Sequence, residues 1–357
     1  MGTTRAVLLL AAILAAGPVA AGAQQYTVTN LGILDGYSNS YASGVNERGQ
    51  VTGYSSNNNS DVLAFLYSDG TLQDLGTLGG AESAGYAISA IGEVVGFSLN
   101  AANANQVFLY SNGTMRGPQL GAQAPHSSLA YGINASGQIT GGYTTPGCCG
   151  NLRAFLYSNG GTQDLGTLGA LPSVGYSINA SGQVAGYSWT ANSAEHAFLY
   201  TNGSMQDLGT LGGTFSAGFA INASGQVTGA STVSAAGQPH AFLYSNGSMQ
   251  DLGTLGGSSS YGRAIDTSGQ VTGAASVAGD VTQHAFLYRN AHMIDLNSLI
   301  SSSDAAFYTL NSGQGINDKE QIVVNATVNA TGQDVALLLT PTAKNFSEEG
   351  DNPLLSR

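Results

Sequence analysis

Apolar residues in this chain come in short clusters that return in a fixed order, with polar turns between them. The copy running from residue 219 to 255 shows four clusters: Phe-Ala-Ile-Asn (219–222), Gln-Val-Thr-Gly-Ala (226–230), His-Ala-Phe-Leu-Tyr (240–244) and Met-Gln-Asp-Leu-Gly-Thr-Leu (249–255). Asn-Ala-Ser-Gly separates the first pair and Ser-Asn-Gly the last; both are tight-turn sequences that place Gly or Asn where a positive φ is needed. Each cluster therefore predicts one short strand. Ala-Phe-Leu-Tyr is apolar at successive positions rather than alternating, so both faces of its strand are expected to be buried, as they are when sheets stack face to face.

The unit of about 44 residues repeats along the chain. Phe65, Phe108, Phe155, Phe198, Phe242 and Phe286 hold one column, and Gln50, Glu93, Gln138, Gln183, Gln226, Gln270 and Gln321 hold another. A seventh, worn copy has Val335 to Leu339 in the aromatic strand's place. Four strands in about 44 residues is the size of a propeller blade, whereas one coil of a β-helix is much shorter. The chain opens with Asn-Leu-Gly-Ile-Leu-Asp-Gly (30–36), a relative of Asp-Leu-Gly-Thr-Leu-Gly-Gly, and the seventh copy ends at Leu339 without that strand. Lending the N-terminal strand to the last sheet leaves no unpaired edge. The predicted fold is all-β, a seven-bladed β-propeller closed by an N-terminal strand that completes the last blade.

Residues 1–23 read as a secretory signal peptide. Arg5 supplies the positive start, Val7 to Ala16 an apolar core too short to span a bilayer comfortably, and Ala21-Gly22-Ala23 a cleavage site. Residues 24–341 form the propeller and 342–357 a polar C-terminal tail. No lipid-bearing Cys stands at the cleavage site and no apolar segment follows Pro341, so the expectation is a secreted protein, extracellular or periplasmic, with no membrane anchor.

Only 8% of residues are charged and 51 of 357 are Gly, against roughly 25% and 7% in ordinary domains. Gly, Asn, Ser and Thr replace charge as the water-facing residues of a turn-rich protein, while 42% hydrophobic content still provides a core. A net charge of -12 with nine Lys and Arg excludes the basic stripe that nucleic acid or an anionic membrane requires.

The segments from His196 and His240, His-Ala-Phe-Leu-Tyr followed by Asn-Gly-Ser-Met-Gln-Asp-Leu-Gly-Thr-Leu-Gly-Gly, and Ile-Asn-Ala-Ser-Gly-Gln-Val-Thr-Gly from Ile221, resemble the bacterial extracellular HAF repeat family. The resemblance covers Tyr26 to Leu339. It implies secretion and a propeller-like repeat, and it carries over no general catalytic activity. Members often carry a C-terminal surface-sorting segment, which is missing here.

Residues present in every copy are explained first by the fold. His196, His240 and His284 share one position, but no carboxylate or Cys lies at ligand spacing, so strand-end hydrogen bonding is expected rather than a metal site. Asp74, Asp164, Asp207, Asp251 and Asp295 recur in one strand, and they and Asn46, Asn134, Asn179, Asn222 and Asn317 are expected to accept local hydrogen bonds. Function is then sought in the variable hairpins between second and third strands, expected at one mouth of the ring. Cys148 and Cys149 are adjacent in the third; a strained vicinal disulfide that stiffens the loop, one that touches ligand, and metal or redox chemistry all stay open. Arg153 could orient a carboxylate, and Trp189 and Glu195 mark a carbohydrate-contact candidate in the fourth. Arg116 and His126 lie in the irregular connection 116–128; with Arg153 and Arg263 they are the candidate set should the protein be an enzyme.

No nucleophile elbow, zinc helix, phosphate loop or acidic calcium loop occurs. The leading expectation is a secreted, non-enzymatic, monomeric binding propeller without cofactor, facing extracellular glycan or another surface component. The alternatives are a lyase or hydrolase of acidic polysaccharide and a structural matrix protein. Convergence of His126, Arg116, Arg153 and Trp189 in one pocket favours the enzyme; dispersal favours display.

Overall fold

The computed structural model describes residues 25–59, 61–117, 127–144 and 152–342. The signal segment 1–23, His126, the Cys148-Cys149 pair and residues 343–357 of the tail lie outside the described residues. Seven antiparallel four-stranded sheets stand in a ring, as the repeat requires. Blades I to VI occupy residues 39–74, 79–116, 128–164, 169–207, 216–251 and 256–295. Blade VII takes its three inner strands from residues 308–341 and its outermost from Tyr26–Asn30, which runs antiparallel to the final strand from Tyr26 opposite Pro341 to Asn30 opposite Leu337. Asn30 stands where five of the other blades have Asp, and its side chain likewise accepts the N–H of the residue two further on, Gly32, at 2.9 Å.

Blade V shows how the sequence makes a blade. Its strands are Ser216–Ile221, Val227–Thr232, Pro239–Ser245 and Ser248–Asp251. The Asn246-Gly247 turn has positive φ at both residues, 52° and 80°, the backbone of a two-residue hairpin whose twist matches its strands. The outermost strand stops at Asp251, four residues before the Leu255 expected from the apolar pattern. The Asp251 carboxylate accepts the N–H of Gly253 at 2.7 Å and turns the chain, while Leu252 dives into the core and donates its N–H to Ala241. Gly-Thr-Leu-Gly-Gly is thus inter-blade connection and, in blades II and VI, the start of the next innermost strand. Between blades VI and VII a short 3-10 turn (Leu296–Ser298) and helix (Ser302–Phe307) replace it.

The phenylalanine of Ala-Phe-Leu-Tyr is fully buried in all six blades that have it, and each ring lies over a glycine of the neighbouring second strand. A Cβ on Gly186 would overlap the Val174 carbonyl oxygen and press on Phe198 at 2.9 Å. Blade VII has Leu337 opposite Val324 instead, and there the innermost strand carries an additional bulge between Leu310 and Ser312.

Polar side chains tie blade to blade at three levels. A buried serine on each innermost strand from I to VI receives a third-strand N–H of the preceding blade, as Ser83 does from Ala64 at 3.0 Å and Ser40 from Ala336 at 3.0 Å across the closure. On the outer edge Gln73, Gln163, Gln206 and Gln250 reach the tyrosine hydroxyl of the next blade. At the lower corners Asn46, Asn134, Asn179, Asn222 and Asn317 accept local N–H groups, as expected, and also donate to a backbone carbonyl of the following blade. Asn317 donates to Asn46 at 2.9 Å, so this hoop passes through the closure.

Candidate functional site

Every innermost strand bulges at the same place, between the residues that flank Ser43, Tyr86, Tyr131, Tyr176, Phe219, Arg263 and Gln314. A bulge inserts an unpaired residue and re-aims its side chain. Here all seven face the ring axis and form the waist of the central channel. Above them, toward the inter-blade connections and the second-to-third-strand hairpins, opens a cavity of about 400 Å³ walled also by Tyr41, Tyr54 and Asn325. Below them, toward the Asn corners, lies a second cavity of about 350 Å³ lined by small residues and a belt of Val and Ile.

The upper cavity is lopsided. Tyr86 stacks on Tyr131 with ring centres 5.3 Å apart, and Tyr131 meets Tyr176 edge-on at 5.2 Å. Tyr176 continues to Phe219 at 5.6 Å and to Tyr187 of its own blade at 5.7 Å. Burial raises the pKa of Tyr86, Tyr131 and Tyr176, so the phenols are neutral at physiological pH. Their hydroxyls bond to no other described residue, although the rings are half-buried. Tyr41 is different: burial first, and its 2.8 Å hydrogen bond to Asp334 second, push its pKa up to about 12.

The other arc is polar. Gln314 donates to Ser312, and Asn325 exchanges hydrogen bonds with the backbone of Ala42, fastening blade VII to blade I. Arg263 lies between the two arcs with its guanidinium carbon 5.5 Å from the centre of Phe219 and 5.9 Å from that of Tyr261. The enclosing walls lower its pKa from the ordinary guanidinium value, and the guanidinium stays charged.

Of the sequence candidates among the described residues, Arg263 alone lines this cavity. Trp189 and Glu195 face each other across the hairpin of blade IV, where the nearby indole favours the ionised Glu195 carboxylate. Desolvation nevertheless leaves the Glu195 pKa raised, and Tyr187, two residues before Trp189 on the same strand and 5.7 Å from Tyr176, links this hairpin to the mouth. Arg153 sits on the third strand of blade III and pairs with Asp164 at 2.7 Å. Arg116 is exposed at the end of blade II's outermost strand. Arg116, Arg153 and Trp189 thus stand on three different blades, II, III and IV, and none of them on an innermost strand.

The recurring histidines have the carboxylate partners that residue spacing concealed. His196, His240 and His284 bond through Nδ1 to Asp207, Asp251 and Asp295 at 2.9, 2.9 and 2.6 Å, and Arg153 with Asp164 occupies the same place in blade III. The third and outermost strands set each pair diagonally across a hairpin, in separate blades. Among the described residues no three His, Cys, Asp or Glu cluster as metal ligands would, and no helix is long and apolar enough to cross a membrane.

No protein family and no curated protein matches the sequence. Among solved structures, TolB from Acinetobacter baumannii is 11% identical with a TM-score of 0.47, over 82% of this chain and 63% of that one. A gluconolactonase from Xanthomonas campestris is 10% identical with a TM-score of 0.45, over 89% and 95%. A puromycin-hydrolyzing peptidase from Mycobacterium tuberculosis is 10% identical with a TM-score of 0.51, over 88% and 55%. The chain spans less than two thirds of TolB and of the peptidase, and at such identities the peptidase likeness shows the propeller fold alone.

Proposed function

We propose that the protein is a secreted, non-enzymatic binding propeller that takes extracellular glycan at the tyrosine-walled upper mouth of its channel. One observation carries this reading: in innermost strands that are otherwise similar from blade to blade, the inward-facing column changes and assembles three tyrosines and a phenylalanine along one arc. Flat apolar rings suit the faces of sugars, their unoccupied hydroxyls suit sugar hydroxyls, and about 400 Å³ is within the range of small-ligand sites. The edge hairpin with Trp189 and Glu195 extends that wall. The scatter of Arg116 and Arg153 away from Arg263 supports display over acid–base chemistry, and the likeness to the HAF repeat family belongs to the same reading.

The test is binding of the mature chain to a broad glycan array, followed by titration of each captured glycan against Y131A and Y176A. Affinity is expected to fall at least about tenfold in each variant, in line with loss of an aromatic anchor. Capture of no glycan, or capture indifferent to both substitutions, overturns the proposal.

A further inference from the structure

Arg263 is the one cation on the wall of the upper cavity. Of the other described arginines, Arg153 pairs with Asp164 at 2.7 Å and Arg289 with Glu320 at 3.7 Å, while Arg48 and Arg116 stand exposed on the outer surface. No described carboxylate lies within ion-pair distance of Arg263, which rests on Phe219 and Tyr261 instead. Stacking on rings holds the guanidinium plane while leaving its N–H edge uncommitted. Arg263 is also a single substitution in an otherwise uncharged column, since Ser, Tyr, Phe and Gln fill the other six places. The chain carries 21 acidic residues against nine basic ones, so its overall field opposes anions, and a cation lacking an acidic partner in a concave site is the local exception.

We infer that the ligand at this mouth carries a carboxylate, that Arg263 receives it, and that the glycan recognised is therefore uronate-bearing. This rests on the glycan reading above. A planar guanidinium edge matches a carboxylate with two parallel hydrogen bonds. A lone Arg without a second cation or a helix N-terminus suits a monoanion such as a carboxylate rather than a doubly charged phosphate. Gln314 and Ser43, next around the waist on one side, offer hydrogen bonds to hydroxyls beside the carboxylate. On the other side Phe219 and Tyr176 begin the aromatic arc that would carry the sugar rings.

The experiment pairs ligands that differ only in charge: oligomers of galacturonate, glucuronate and mannuronate, each beside its methyl ester, titrated calorimetrically into the mature chain. The free acid of at least one pair is expected to bind about tenfold or more tightly than its ester, as a charge-assisted hydrogen-bonded pair warrants, with the preference shrinking as salt rises. R263Q should remove the preference by lowering the affinity of the acid far more than that of the ester; R263K, which keeps the charge but not the fork, should retain part of it. Equal binding of acid and ester by the unaltered protein, or a preference that survives R263Q, overturns the role of Arg263 while glycan binding stands. Sulfated glycans bound better than every uronate overturn the carboxylate. Failure of every glycan to bind overturns both proposals.

Discussion

Three residues separate two columns of the innermost strand that obey opposite rules. The lower-corner column is Asn in five blades and stitches each of them to the next; the waist column, three positions earlier, runs Ser, Tyr, Tyr, Tyr, Phe, Arg, Gln. The difference is one of partners. A corner side chain must satisfy buried N–H and C=O groups of two blades, and such groups are costly to leave unpaired. A bulged waist residue meets mainly solvent and its neighbours in the ring, so its identity is open to whatever the channel has to hold.

Changes that break the ring should have the largest effect. Removing residues 25–30 leaves the outer edge of blade VII's final strand unpaired, and the shortened chain is expected to lose its cooperative thermal transition by circular dichroism and to aggregate in size-exclusion chromatography. G186V places atoms where the Val174 carbonyl and the Phe198 ring already lie, and urea unfolding should show destabilisation of about 3 kcal/mol or more. N179A removes the donor to the Asn222 carbonyl at 3.1 Å and the acceptor for Ser181 and Gln183, with an expected cost of about 2 kcal/mol in the same assay.

Two milder substitutions sharpen the contrast. Blade II has Ser89 at the corner, where no described side chain reaches blade III; S89N should supply the missing donor and raise stability by about 0.5–1 kcal/mol. Y131Q at the waist, a position that already takes Gln in blade VII, should move stability by about 1 kcal/mol or less while weakening glycan binding. A waist substitution as costly as N179A would erase the distinction between the two columns.

Most of the architecture was legible because it is written seven times. The paired runs of Ala-Phe-Leu-Tyr disclosed burial on both faces, and Asn30 in place of Asp disclosed the closing strand. The end of the outermost strand was not legible: Leu252 and Leu255 continue an apolar pattern, and only the Asp251 turn shows where pairing stops. The His–Asp pairs were hidden because an antiparallel hairpin brings together residues 11 apart. The waist was missed for another reason. Variation was sought in the hairpin loops, where Trp189 and Arg153 stand, yet the column three residues before each corner Asn varies as sharply within a segment otherwise constant. Bulges are not readable from apolar pattern, but an unstable column inside a stable strand was a visible signal.

The corner hoop also has gaps. Ser89 and Asp266 send no side-chain donor onward, so the chain of donated amides divides into one arc over blades III to VI and another over VII, I and II. At the VI–VII gap Asp318 reaches back to Thr267 and restores a latch. At the II–III gap no described side chain does so on the lower side, and directly above it Tyr86 lies flat against Tyr131. Among the described residues this is the bracelet's one clasp without a corner tie, and the joint rests there on the Ser128 hydroxyl that receives the Val107 N–H and on that pair of rings.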